Sequence, residues 1–212
     1  MSKYFYYLLF NIFFLSIFLK TTEDVLNKKS VVNFDFLLNE KIILLWQPWL
    51  NKTMIALTSI FNPLNLLILS IILLFLFVYW KKWYFFSLYL ISLSGGIILG
   101  HILKIVVQRD RPTGGLISET GFSFPSNHAI IASIFFPLLC YFFKNKIKNV
   151  LLRNIFFVIN IFFFLLIGFS RIYLKVHWFS DVIAGFSLGL FWLTFLILLF
   201  CLTNQQSKGA VK

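Results

Sequence analysis

Charge is scarce in this chain of 212 residues: only 12% is charged, and seven residues are acidic. Cysteine and methionine occur twice each and proline five times. So little charge excludes an ordinary soluble domain, which carries about 25%. Two cysteines exclude a disulfide scaffold. Cys140 and Cys201 both fall inside apolar runs and read as small buried hydrophobes. What the chain has in abundance is apolar surface: 60% hydrophobic residues, 29 of them Phe, and a mean hydropathy of +0.90. That composition excludes disorder and calls for lipid as the solvent. The net charge of +12 has no soluble domain on which to form a nucleic-acid surface. It therefore faces anionic lipid or a phosphate compound.

A membrane span needs about 20 apolar residues to cross about 30 Å of hydrocarbon. Six stretches meet or approach this: Tyr4–Leu19, Leu64–Trp80, Tyr84–Val107, His128–Phe143, Leu151–Phe169 and Val182–Leu202. The first resembles a signal peptide in position, but its apolar core is long, and Lys20-Thr21-Thr22-Glu23 offers no small-residue cleavage site. The expected fold is all-α and polytopic, with six transmembrane helices. Residues 31–62 mix Asp35, Glu40, Lys41 and Lys52 with Phe34, Phe36, Trp46 and Trp49. They are expected to form interfacial helices between the first and second spans, with the tryptophans at headgroup depth. No repeat or soluble linker divides the chain, so residues 1–212 read as one membrane-embedded domain.

Basic residues set the orientation. With both termini cytoplasmic, Lys3, Lys81, Lys82, Lys144, Lys146, Lys148, Arg153, Lys208 and Lys212 lie inside. Of the external cations, Lys104, Arg109, Arg111, Arg171 and Lys175 belong to two segments with a separate use, argued below. The remainder favours termini inside and residues 20–63, 108–127 and 170–181 outside.

Polar residues near spans are expensive and tend to be functional. Lys104 lies at the end of the third span, and stepping back by four gives Gly100, Gly96 and Ser92. This small-residue face admits another helix and turns Lys104 into the bundle rather than toward lipid. Pro112 stops the helix and holds Arg111 at the loop entrance. Pro125 and Ser126 suit a helix start, whose free N–H groups favour an anion, and His128 sits on the first turn of an otherwise apolar helix. His177 and Asp181, four apart, are expected to share a helix face that continues through Gly185 and Gly189. Each feature alone fits a snorkelling lysine, a plain helix cap or an ion pair at the membrane edge. His101, one position from the glycine stripe, reads as a packing residue with only a minor prospect of touching substrate.

Together the three segments hold three anion ligands, a hydroxyl, two imidazoles and a carboxylate. A phosphomonoester carries about −1.5 to −2 charge. Lys104, Arg111 and Arg171 match it, and Ser126 adds a hydrogen bond. Phosphoryl transfer then needs a nucleophile and an acid. His177, with Asp181 to hold its tautomer, is the better nucleophile, and His128 the better proton donor. Hydrolysis would pass through a phosphohistidine. Divalent metal is disfavoured, because only Asp110, Glu119 and Asp181 are acidic near these segments, where cations crowd. No metal and no cofactor are expected.

The arrangement Lys104-x6-Arg111-Pro112, Pro125-Ser126-Asn127-His128 and Ser170-Arg171-x5-His177-x3-Asp181 resembles the three-part signature of the type 2 phosphatidic-acid phosphatase superfamily, over about residues 55–200. The resemblance implies a six-helix core with the site at the outer face. It implies that Lys104, Arg111 and Arg171 bind phosphate, that Ser126 hydrogen-bonds it, and that His128, His177 and Asp181 act as acid, nucleophile and orienting carboxylate. Asn127 stands where the family usually has Gly, and either narrows the pocket or adds an amide ligand.

The leading expectation is metal-independent hydrolysis of a lipid phosphate or diphosphate in a bacterial inner membrane, with the site periplasmic or external. Undecaprenyl diphosphate is the first candidate substrate, followed by phosphatidylglycerophosphate, phosphatidate and lipid A phosphate. An alternative is a phosphotransferase that passes the group to another lipid. A non-catalytic lipid-phosphate binder or transporter is disfavoured, because the polar residues gather at one edge and no repeat is visible. The partners are membrane lipids and the lipid substrate, with no nucleic acid and no obligate protein partner.

Overall fold

A computed structural model describes residues 3–209. The helices are α1 (Lys3–Leu26), α2 (Ser30–Lys41), α3 (Pro48–Ile60), α4 (Pro63–Tyr79), α5 (Trp83–Val107), α6 (Asn127–Phe143), α7 (Val150–Tyr173) and α8 (Phe179–Gly209), with a 3-10 turn at Ile42–Leu45. No strand occurs among the described residues. In lipid every backbone polar group must be satisfied within the segment, and a helix does this.

Local signals set the helix ends. Asn62 caps α4 by accepting from Asn65 N at 2.7 Å, and Asn149 caps α7 by accepting from Leu152 N at 3.1 Å. Pro48 opens α3, where its missing N–H costs nothing. α5 ends where Gln108 turns left-handed, with a φ of 50°.

Four helices are long and apolar enough to cross a membrane: Phe5–Leu26, Trp83–Val107, Val150–Tyr173 and Phe179–Thr203. α4 meets that criterion only jointly with α3, the pair being bent by 43°. α6 is apolar but shorter, with 17 residues. The outer faces are apolar: Leu151 is 67% exposed, Val158 65% and Phe75 72%. These are the surfaces lipid chains cover. The protein is membrane-embedded.

With lipid outside there is little hydrophobic drive between helices, so close approach must come from small residues. The stripe on α5 (Ser92, Gly96, Gly100) is buried. A Cβ at Gly96 would sit 2.4 Å from Ile134 Cδ1 of α6, and one at Gly100 would meet Ile130 Cδ1 at 2.7 Å. On α8, a Cβ at Gly185 would lie 2.6 Å from Ser126 O, and one at Gly189 would lie 2.8 Å from Ile130 O. α6 is thus clamped between α5 and α8 with its first turn deep in the bundle, and its residues 128–136 are all buried. α1 packs along α8, where Asn11 Nδ2 donates to Phe191 O at 2.9 Å.

Candidate active site

The loop between α5 and α6 (residues 108–126) and the turn between α7 and α8 (residues 174–178) meet over the start of α6. Ser126 N donates to Asp181 O at 3.0 Å, and Leu116 N donates to Leu174 O at 3.1 Å. Ser123 closes the loop on itself: its N donates to Arg109 O at 2.8 Å, and its hydroxyl donates to Asp110 O at 3.0 Å.

All three sequence segments converge here. Arg111 Nη1 donates to His177 Nε2 at 3.3 Å and to Val176 O at 2.7 Å, while its Nε donates to Gly121 O at 2.9 Å. Lys104 Nζ donates to Phe122 O at 2.6 Å, so the end of α5 reaches under the same loop. Arg171, 1% exposed on the last turn of α7, pairs with Thr58 Oγ1 of α3 and with Glu119 of the loop. The charges of Arg171, Arg111 and Lys104 all bear on His177.

His177 lies between α7 and α8, not on a helix as its spacing to Asp181 suggested. Lys175 adopts a left-handed φ of 55° and forces a tight turn. Asp181, in the first turn of α8, accepts from Trp178 N at 2.9 Å through Oδ2. The same Oδ2 faces His177 Nδ1 at 3.4 Å. The pair therefore meets through a capped turn rather than a shared helical face. Because the Arg111 guanidinium can only donate, Nε2 accepts and the proton is on Nδ1, which faces the carboxylate without hydrogen-bond geometry. Burial and the charges of Arg171, Arg111 and Lys104 hold the His177 imidazole well below the usual histidine range. Those charges favour the neutral imidazole over the cation.

His128 is buried on the first turn of α6. The first intrahelical bond there runs from Ile130 N to Ser126 O, so the amides before it belong to the helix start. Ser126 Oγ, Asn127 Oδ1, Arg171 Nε and His177 Nδ1 are buried without a hydrogen-bond partner. Such atoms cost free energy unless something pairs with them. Of these atoms, Ser126 Oγ and Arg171 Nε carry donor protons that an oxyanion can accept. Asn127 Oδ1 lies against α5, 3.0 Å from where a Cβ at Gly100 would be. His101 is exposed on α5. No cluster of three or more His, Cys, Asp or Glu with metal-ligand geometry occurs among the described residues.

Four neighbours of the site have no role in it that the sequence assigns. Thr58 and Glu119 hold Arg171. Arg109 donates from Nη1 to Asp181 Oδ1 at 2.8 Å. Asp35, on α2, accepts from Arg109 Nη2 at 2.7 Å and from Ser180 N at 2.9 Å. Beside Arg111 a cavity of about 360 Å³ opens, lined by Lys175, Ser118 and Glu119 among others.

A sequence profile described as the PAP2 superfamily matches residues 82–204. The chain is 31% identical over 183 residues to phosphatidylglycerophosphatase B of Bacillus subtilis, covering 83% of this chain and 88% of that protein. It is 30% identical over 131 residues to an undecaprenyl-diphosphatase of Sulfolobus acidocaldarius, covering 58% and 55%. The fold is similar to the crystal structure of a transmembrane PAP2-type phosphatidylglycerolphosphate phosphatase from Bacillus subtilis. The TM-score is 0.80 at 28% identity, over 88% of this chain and 94% of that one. Aquifex aeolicus LpxE shares the fold at a TM-score of 0.57 and 21% identity, over 78% and 93%.

Proposed function

The chain belongs to the PAP2 superfamily, and from that premise we propose that it is a lipid phosphatase hydrolysing a lipid phosphate or diphosphate through a phosphohistidine on His177, without metal. The observation that carries this reading is the meeting of Arg111, Asp181 and the start of α6 at His177, with Lys104 and Arg171 tied to the same loop.

The steps follow from the positions. The substrate phosphate sits among Lys104, Arg111, Arg171, the Ser126 hydroxyl and the amides at the start of α6, which stabilise its equatorial oxygens. Asn127 adds bulk beside that anion. His177 Nε2 attacks phosphorus as the bond to the lipid oxygen breaks, and His128 gives that oxygen its proton. The positive charge that grows on His177 is met by Asp181 through Nδ1–H. Water then attacks phosphorus while its proton goes to His128, the P–N bond to His177 breaks, and inorganic phosphate leaves with the imidazole neutral again. A phosphotransferase would differ only in replacing water by a lipid hydroxyl.

The same reading takes the chain as six spans in one domain. They are α1, α4, α5, α6, α7 and α8, with α2, the 3-10 turn and α3 lying at the interface. α6 is about 25 Å long at 1.5 Å per residue, short of the hydrocarbon thickness of about 30 Å. A helix that starts below the membrane surface recesses the site within reach of a headgroup whose chains remain in lipid. The balance of basic residues puts the site on the external face of a bacterial cytoplasmic membrane and both termini inside.

Phosphatidylglycerophosphate is the first substrate to test, because the similarity to the Bacillus enzyme spans most of both chains. Undecaprenyl diphosphate, foremost on the sequence alone, comes second, since that similarity covers little more than half. The test is phosphate release from a panel of lipid phosphates and diphosphates at matched detergent mole fraction. Release by the wild type and none by His177→Ala is the expected result. Equal release by both, or none from any lipid, overturns the reading.

A further inference from the structure

α2 docks on the bundle in an unusual way. Phe34, Phe36 and Leu37 are 48%, 53% and 55% exposed, while Asp35 is 1% exposed and is the buried residue of the helix. Burying a carboxylate is costly unless it is paired and hydrogen-bonded. Asp35 accepts from Ser180 N, Ser180 Oγ and Arg109 Nη2. Arg109 in turn donates through Nη1 to Asp181 Oδ1 at 2.8 Å and lies 5.3 Å from the Trp178 ring centroid. A chain of contacts thus runs Asp35–Arg109–Asp181–His177, buried except at the partly exposed Arg109, and its first member lies outside the span matched to the family.

Charge accounting gives the chain a purpose. Arg109 alone would neutralise Asp181 and leave His177 facing an ion pair with no net charge. Asp35 opposes the other half of the same guanidinium, so the triad carries a net −1 where the imidazole must become cationic. We propose that Asp35 and Arg109 are positioning residues for the phosphoryl transfer at His177: Arg109 fixes the Asp181 carboxylate, and Asp35 returns to it the negative charge that Arg109 would cancel. This inference rests on His177 being the nucleophile.

The test uses the full chain in detergent micelles with dioctanoyl phosphatidylglycerophosphate as the probe. Asp35→Asn lowers kcat by about 10- to 100-fold, as loss of an outer hydrogen-bonding partner does at other sites. KM stays within about threefold, since the phosphate ligands are untouched. The discriminating variant is Asp35→Asn/Arg109→Gln. It removes both charges, leaves Asp181 ionised toward His177, and recovers kcat at least about fivefold over Asp35→Asn alone, a non-additivity expected of coupled charges. A role limited to anchoring α2 gives the opposite order, because the double variant loses both ends of the anchor. Full kcat in Asp35→Asn, or a double variant no more active than the single, overturns the inference. This holds while His177→Ala remains inactive, and activity in His177→Ala instead removes the reading beneath it. Monodisperse elution of each variant is the control for folding; if Asp35→Asn fails to fold, the double variant is compared with the wild type, and a folded double variant more than about 100-fold below it in kcat overturns the inference.

Discussion

Asp181→Asn is the most informative single substitution, because the structure leaves the amide no good orientation. Both carboxylate oxygens accept from N–H donors: Oδ1 from Arg109 at 2.8 Å and Oδ2 from Trp178 N at 2.9 Å. An amide has one acceptor oxygen. Whichever way it turns, its NH2 faces another donor, and if that NH2 occupies the Oδ2 position it also confronts His177 Nδ1–H, 3.4 Å away. The imidazole then turns its lone pair toward Nδ1 and its proton toward Nε2, the wrong tautomer for attack. Loss of the orienting carboxylate costs about 10⁴ in kcat in a serine protease. The longer contact here points to about 10²–10⁴, or about 2.7–5.4 kcal/mol at about 1.36 kcal/mol per decade. A buried donor facing a donor also destabilises the fold by about 1–3 kcal/mol, visible as a lower unfolding midpoint in detergent. KM stays within about threefold, because Lys104, Arg111, Arg171 and Ser126 are unchanged. The assay is steady-state phosphate release with kcat and KM resolved. A kcat within about threefold of wild type in a folded variant refutes the assigned role of Asp181.

Other outcomes follow from the same geometry. His128→Ala loses at least about 10²-fold on a lipid phosphate but far less on p-nitrophenyl phosphate, whose leaving group needs no proton; equal losses on both contradict its role as an acid. Activity survives EDTA while vanadate inhibits, and loss on chelation brings back a metal mechanism. Glu119→Gln tightens vanadate inhibition, because Arg171 no longer divides its charge with a carboxylate; unchanged or weaker inhibition contradicts that competition. His177 is held neutral below the usual histidine value of about 6.5, so the ¹⁵N imidazole signals of His177 keep their neutral-tautomer positions as pH falls through that value, and protonation near 6.5 contradicts the field described.

The charged members of the site were legible because a polar residue stands out in so apolar a chain. Lys104 above a small-residue stripe and His128 on an apolar helix each carry a cost that invites a function. The small-residue stripes also announced which helix faces meet. What stayed hidden was pairing over long separations. Asp35 and Ser180 are 145 residues apart, and no periodicity connects them. In a mixed segment with Glu40, Lys41 and Lys52, nothing marks Asp35 as the one charged side chain that is buried. Thr58 was equally anonymous among apolar neighbours. The spacing of His177 and Asp181 pointed to the right pair for the wrong reason, since four residues also span a capped turn. Apolar runs located the helices better than their ends: α1 continues to Leu26 and α7 to Tyr173, past the apolar runs, because turn residues rather than hydropathy stop a helix.

The account's central claim is the covalent intermediate, and rapid-quench mapping of the enzyme with ³²P-labelled lipid phosphate tests it directly. Acid-labile, base-stable label on the peptide containing His177, formed within one turnover and absent from His177→Ala, is the predicted result. Label on any other residue, or none at any time while phosphate is released at the wild-type rate, contradicts it.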